Sequence, residues 1–319
     1  MTLPPKFLLP LAALAASGAL QAAAPMVHTQ APGFYRMQVG AAEVTAVSDG
    51  TVTLPLDQLL TDTTPQQLEH LLTRAHLAPK VETSINAFLV NTGTHLVLVD
   101  TGAGALFGPD AGGRLQASIR AAGYRPEDVD AVLVTHIHGD HSGGLSVAGK
   151  MQFPKAVVYV NRQEAEFWLD PANKPRAPES QRASFDEAAR QFAPYVAAGK
   201  VKRFAGDSEL LPGLYAQNAI GHTPGHTVYR LTSGGKELQF WGDLLHVKDV
   251  QFAVPGVTIR FDIDSPSAAR QRKAAFADAA KRGYLVAAAH IPFPGVGYVL
   301  ADGQAYDWLP VPYTAGPKP

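Results

Sequence analysis

Three histidines and an aspartate fall within six positions of the run THIHGDHSGG, residues 135–144, in a chain with 11 histidines among 319 residues. Neutral imidazole and carboxylate at such density are the donors that hold a divalent metal ion without fully neutralising it. His136 and His138 lie two positions apart at the end of the apolar run VDAVLVT, so both point to one side of an extended chain and can reach one ion. Gly139 then lets the chain turn, and Asp140 and His141, at the start of a helix, can face a second ion.

One run has too few donors for two ions, and the remainder must come from elsewhere. GHTPGHT, residues 221–227, offers His222 and His226 in a Gly/Pro-shaped loop. Asp243 in WGD and His290 in YLVAAAH each end an apolar strand, the position from which sheet residues converge on a site. The chain has no cysteine, which excludes disulfides, a thiol nucleophile and every thiolate metal site. His28, His70, His76 and His95 have no ligand spacing and read as surface or turn residues.

Strands and helices that intermix must position these groups. YRMQVGAAEVTAVSDG and TVTLPL read as β strands joined by a turn at Asp49 and Gly50, and SINAFLVNTGTHLVLVDTG as a hairpin ending at Asp100. VDAVLVTH, KAVVYVN, ELQFWGD and YLVAAAH are further strands. Helices are expected from about Thr64 to Ala75, with Pro65 at a favoured first position, and in GGRLQASIRAAG, RQEAEFWL, SFDEAARQFAPYVAAG and SPSAARQRKAAFADAAKRG. The pattern predicts a mixed α/β protein with sheets at the centre and helices outside.

With 46% hydrophobic residues the chain can bury a sizeable core, and 27 basic against 28 acidic side chains give no basic surface that would track phosphates. Nucleic acid is therefore excluded as a partner. The N-terminal Lys6, the apolar stretch from Phe7 to about Ala16 and the small residues at Ala22 to Ala24 read as an export signal over 1–24, too short to span a bilayer. The rest, 25–319, shows no linker and reads as one domain of an exported, periplasmic or secreted protein with no membrane partner.

The H-x-H-x-D-H run with the later GH, GD and strand-end His resembles the metallo-β-lactamase superfamily of dinuclear hydrolases, across about Asp100 to His290. The resemblance implies an α+β fold, the αββα sandwich of two mixed β-sheets flanked by helices. It also implies that His136, His138 and His226 hold one metal, that Asp140, His141 and His290 hold the other, and that Asp243 bridges both. Two such ions about 3.5–4 Å apart share a hydroxide that attacks the substrate, with Asp140 and Asp243 as catalytic ligands. Zinc suits the donor set best, and manganese, iron or cobalt are alternatives. Asp100 would accept a hydrogen bond from a ligand imidazole or a backbone group, and His222 would stand behind the ligands.

A closer resemblance runs through TSxxxxLVNTG, LVDTGxxxLFGP, EAEFWL, GHTPGHT and KAAFADAAKxGYL, which are similar to the group of methyl parathion hydrolases and exported aryl lactonases. It implies a small-molecule substrate, an aryl lactone of the dihydrocoumarin type or an aryl phosphotriester, in a pocket lined with aromatic residues. Phe107, Trp168 and Phe185 are the candidates for that lining. Dedicated phosphotriesterases of the group keep an apolar residue three positions after the bridging Asp. This chain has His246 there, with Ile259 and Phe261 beyond, which points to the lactonase side and gives His246 a catalytic or substrate-contacting role.

The expectation is an aryl lactone or ester hydrolase with promiscuous phosphotriester hydrolysis; a dedicated organophosphate hydrolase or an acyl-homoserine lactonase is the alternative. A β-lactamase fits poorly because those enzymes commonly use Cys or lack the bridging Asp, and a diiron oxidoreductase because its second motif His is usually Glu. A purely structural metal protein would need closed ion sites. Relatives of this type are often dimers, which leaves a homodimer open.

Overall fold

Period-two alternation along the apolar strands dictates how the layers meet. In Leu96–Val99, Leu96 and Leu98 face one way and Val97 and Val99 the other, and all four are buried. A strand apolar on both sides must be covered on both sides. The computed structural model describes residues 24–315, so the expected signal over 1–24 lies, apart from its last residue, outside the described residues. Pro32 onward forms one compact unit.

The first sheet has seven strands whose spatial order follows the chain: Phe34–Val39, Ala42–Pro55, Lys80–Asn91, Leu96–Val99, Ala131–Leu133, Val157–Asn161 and Val201–Phe204. Its first four strands pair antiparallel and the rest parallel. The second sheet, from Ser208–Leu211 to Ala305–Pro310, is antiparallel except where Lys236–Phe240 meets Leu285–Ala287. Val44, Phe88, Val97 and Leu133 of the first sheet pack against Tyr229, Leu231 and Phe240 of the second, which places the sheets face to face.

Helices cover the outer faces. Ile119 of Leu115–Ala121 and Phe192 of Arg182–Ala197 pack on the first sheet, and Phe276 of Ser265–Arg282 on the second. The result is the αββα sandwich that the motif resemblance implies. Pro65–Arg74 forms the expected helix, with Thr64 accepting from the Gln67 N–H as its cap. Among the described residues no helix is long and apolar enough to cross a membrane.

The expected turn at Asp49 and Gly50 is corrected. The strand Ala42–Pro55 runs through it, with a register shift between Ser48 and Gly50. A bulge replaces the turn because a buried acceptor is needed there. Asp49, fully buried, accepts from the N–H groups of Ala103, Gly113 and Leu115 at 2.8, 2.9 and 2.9 Å, and so pins the loop that carries Phe107. Asp49→Ala leaves these donors unmet at about 1–3 kcal/mol each, so urea unfolding is expected to show a loss of about 3 kcal/mol or more. A loss below about 1 kcal/mol would mean that solvent replaces the carboxylate.

Candidate metal centre

The loops at one end of the sandwich bring the chemistry-bearing residues together. His136 and His138 lie in the loop beyond Ala131–Leu133 rather than in the strand itself, and the four-residue helix Gly139–Ser142 carries Asp140 and His141. His222 sits in the loop before Thr227–Ser233, Asp243 just after Lys236–Phe240, and His290 after Leu285–Ala287. Asp243 can reach its place because Gly242 has φ +52 and a side chain there would press to within 2.8 Å of the His226 ring.

Asp243 is the hub. Its Oδ1 lies 3.0 Å from His141 Nε2 and 3.1 Å from His290 Nε2. Its Oδ2 lies 3.2 Å from His222 Nε2, 3.6 Å from His136 Nε2 and 3.0 Å from His246 Nε2. His138 Nδ1 completes one group at 3.1 Å from His136 Nε2 and 3.0 Å from His222 Nε2. Asp140 Oδ2 completes the other at 3.5 Å from His290 Nε2 and 3.6 Å from His141 Nε2. Donor atoms thus cluster within 4.8 Å as His136, His138, His222 and Asp243, as Asp140, His141 and His290, and as Asp243, His246 and His290.

The donor set fits a divalent cation. His141 Nε2, Asp243 Oδ1 and both nitrogens of His246 are buried without a hydrogen-bond partner, and buried polar atoms converging in this way call for a cation or water to meet them. The outward nitrogens are held from behind. His141 Nδ1 donates to Asp100 Oδ2 at 2.8 Å, His222 Nδ1 to Asp262 Oδ1 at 2.8 Å, and His290 Nδ1 to the Ser84 carbonyl at 2.9 Å. An Nδ1 that donates leaves Nε2 with its lone pair toward the site, which is how outer partners orient metal ligands. Asp100 also accepts from the Thr135 N–H and hydroxyl, both at 2.8 Å, and its backbone is left-handed at φ 58.

The sequence reading counts His226 among the ligands and sets His222 behind them; the structure reverses the pair. His226 Nε2 accepts from the Asp243 N–H at 3.0 Å and its Nδ1 donates to the Ala219 carbonyl at 3.2 Å, so neither nitrogen is free. Its work is to seat the Asp243 backbone. Two further expectations are corrected: Trp168 and Phe185 are 1% and 3% exposed and pack in the core beneath the first sheet instead of lining a pocket. Trp168 still touches the site, edge-on to the His138 ring at 5.4 Å.

A cleft of about 690 Å³ opens above the donors. Phe107, Ile259 and Phe261 line it with Leu54 and Leu59, and His246 and Asp140 reach it from the floor. Asp262 and Glu164 escape the sequence reading, because a lone carboxylate in VTIRFD or EAEFWL has no spacing that ties it to a distant histidine.

Charge in the site follows from burial and neighbours. Burial and the adjacent imidazoles hold His136 and His138 well below the ordinary histidine range. Burial also lowers His226, to about 3, with His222 adding to it. For Asp243 burial works against ionisation, yet the rings of His141, His290, His246 and His136 outweigh it and hold the carboxyl well below its usual range. For His222 burial is overcome by the Asp243 and Asp262 carboxylates, which lift it to about 9. Asp243 and Asp140 likewise raise His290, and with Asp100 they hold His141 well above its ordinary value.

The chain matches the model of the metallo-beta-lactamase superfamily over residues 81–306. Its structure is similar to that of hydrolase AbOPH of the beta lactamase superfamily, with TM-score 0.85 and 38% identity over 90% of this chain and 100% of that one. AidC, a dizinc quorum-quenching lactonase in complex with a product, N-hexnoyl-L-homoserine, gives TM-score 0.82 and 26% identity over 88% of this chain and 98% of its own. An N-acyl homoserine lactonase of Bacillus sp is 28% identical over 113 residues, 35% of this chain. The curated relatives that the chain matches are aligned over only 36% to 37% of their own length.

Raised imidazole pKa values mean that His222, His141 and His290 hold protons that an entering cation must displace. Zinc uptake at pH 7 is expected to release protons, and affinity to rise with pH until His222 is neutral above about 9. Calorimetric titration in two buffers of different ionisation enthalpy measures this. Heats at pH 7 that do not depend on the buffer would contradict it.

Proposed function

Because the chain belongs to the metallo-beta-lactamase superfamily, we propose that it is a hydrolase using two divalent metal ions, zinc first among them, on an aryl lactone or ester, with phosphotriester hydrolysis as a side activity. One observation carries the reading: the two oxygens of Asp243 address two separate groups of imidazoles at the floor of a largely apolar cleft. His136, His138 and His222 would hold one ion, Asp140, His141 and His290 the other, and Asp243 both. When bound, such a pair lowers the pKa of water and polarises the attacked carbonyl or phosphoryl oxygen.

The chain's own residues do the rest. Phe107, Ile259 and Phe261 exclude water and offer apolar faces to a planar ring. His246 is buried, turns Nε2 to within 3.0 Å of Asp243 Oδ2, leaves Nδ1 unpartnered and is set by Gln251 Oε1, which accepts from its backbone N–H at 2.7 Å. It lies beside the reacting position, where it can donate a hydrogen bond or a proton to a lactone oxygen or a departing phenolate. The N-terminal sequence from Lys6 to Ala24 is consistent with an exported enzyme.

A second reading, acyl-homoserine lactonase, is favoured by the likeness to AidC and to the Bacillus enzyme. One panel separates the two: dihydrocoumarin, N-hexanoyl-homoserine lactone and methyl paraoxon, with zinc-loaded native protein and His246→Leu. Highest kcat/KM on dihydrocoumarin is expected. In His246→Leu its ratio to methyl paraoxon should fall about tenfold, the scale of one lost hydrogen bond. Faster turnover of the homoserine lactone would support the second reading, and loss of every activity with the metal intact would leave neither.

A further inference from the structure

The helix Arg162–Trp168 sits against both ligand-bearing loops without supplying a ligand itself. Glu164, in its first turn, is fully buried. Its Oε1 accepts from the Ile137 N–H at 2.8 Å, and its Oε2 accepts from the Gly225 N–H, also at 2.8 Å. Ile137 is the residue between His136 and His138, and Gly225 belongs to the loop that carries His222. One carboxylate therefore joins the backbones of two segments that are 88 positions apart in sequence (225 − 137 = 88) and together contribute three imidazoles to one group.

Two more observations point the same way. Trp168 lies four residues after Glu164, on the same helix face, and braces the His138 ring edge-on at 5.4 Å. Gly225 approaches so closely that a Cβ there would lie within 2.6 Å of Glu164 Cβ, as well as on its backbone nitrogen, so the loop can rest on the helix only with glycine at this position. The start of the helix is anchored to the second sheet as well, through Asn161 Nδ2 donating to Asn218 Oδ1 at 2.9 Å. The helix is thus tied to segments of both sheets.

We propose that Glu164 is a positioning residue that sets the spacing of His136, His138 and His222, and so selectively sustains the ion that this group holds. The inference rests on the two-ion reading above. Glu164 neither lines the cleft nor joins the converging donors, and its two oxygens accept from backbone N–H groups. The second group has partners that Glu164 does not touch, the Ser84 carbonyl behind His290 and Asp100 behind His141, although Asp100 also accepts from Thr135 beside His136.

Glu164→Gln keeps the shape but can accept only one of the two N–H groups. Zinc per chain, measured after dialysis against graded chelator, is expected to fall from two to one at concentrations where native protein keeps both. The affinity of the weaker ion should drop about 10–100-fold, the usual cost of losing an outer partner. The cobalt-substituted variant should show visible bands altered in the same sense as His222→Ala and unlike His290→Ala, a signature that a loss of stability alone would not produce. Gly225→Ala, which pushes the loop off the helix, is expected to give the same pattern and carries the test if Glu164→Gln does not fold. Two ions held with native affinity and spectrum, or both ions lost together in step with the unfolding midpoint, would overturn the inference while leaving the two-ion reading intact. A native chain that binds no divalent ion would overturn both.

Discussion

A single carboxylate, Asp243, faces five imidazole rings at the buried floor of the cleft, and the arrangement of the molecule turns on keeping it there. Burial by itself opposes the charge, and an ion buried without partners costs more than a small domain can spare. His141, His290, His246, His136 and His222 supply those partners at 3.0 to 3.6 Å. They come from four separate stretches of chain, so the two sheets must deliver their loops to one end of the sandwich in register. Even the Asp243 backbone is fixed, by the glycine before it and by the His226 ring that takes its N–H.

Behind this hub stands a layer of acceptors whose only evident task is orientation. Asp100, Asp262 and the Ser84 carbonyl each take one Nδ1 proton, leaving the opposite nitrogen of each ring directed at the site. Asp49 and Glu164 act one step further out, on backbone N–H groups, and hold whole loops instead of single rings. Precision is thereby spread over many short hydrogen bonds from rigid elements, which suits a site whose donors must meet within a few tenths of an ångström.

The walls of the cleft are built from other material. Leu54, Leu59 and Ile259 belong to or pack beside a small apolar cluster that includes the helix Pro65–Arg74, while Phe107 rides on the loop pinned by Asp49. Leu54, Leu59 and Phe107 thus come from segments that carry no donor, whereas Ile259 and Phe261 flank Asp262, the partner of His222.

The spacing of THIHGDHSGG, the absence of cysteine and the polar groups that end apolar strands are local facts, and they gathered the candidate donors; the sandwich of sheets was implied by the family resemblance those motifs carry, and the structure has it. Strand alternation did the same for the layers, because a strand apolar on both faces has few ways to be covered. What stayed hidden depends on partners far away along the chain. His222 and His226 stand four residues apart in one loop, and only the tertiary structure shows that Asp243 and Ala219 occupy both nitrogens of one while Asp262 takes Nδ1 of the other and turns its Nε2 toward the converging donors. Asp49 and Gly50 have the residue types of a turn, yet three distant N–H groups needed the carboxylate and the strand ran on. Trp168 and Phe185 have the character of pocket lining, and packing put them in the core. Residue type and spacing state which donors exist; which nitrogen is free, and which ring meets solvent, is decided by long-range contacts that no local pattern encodes.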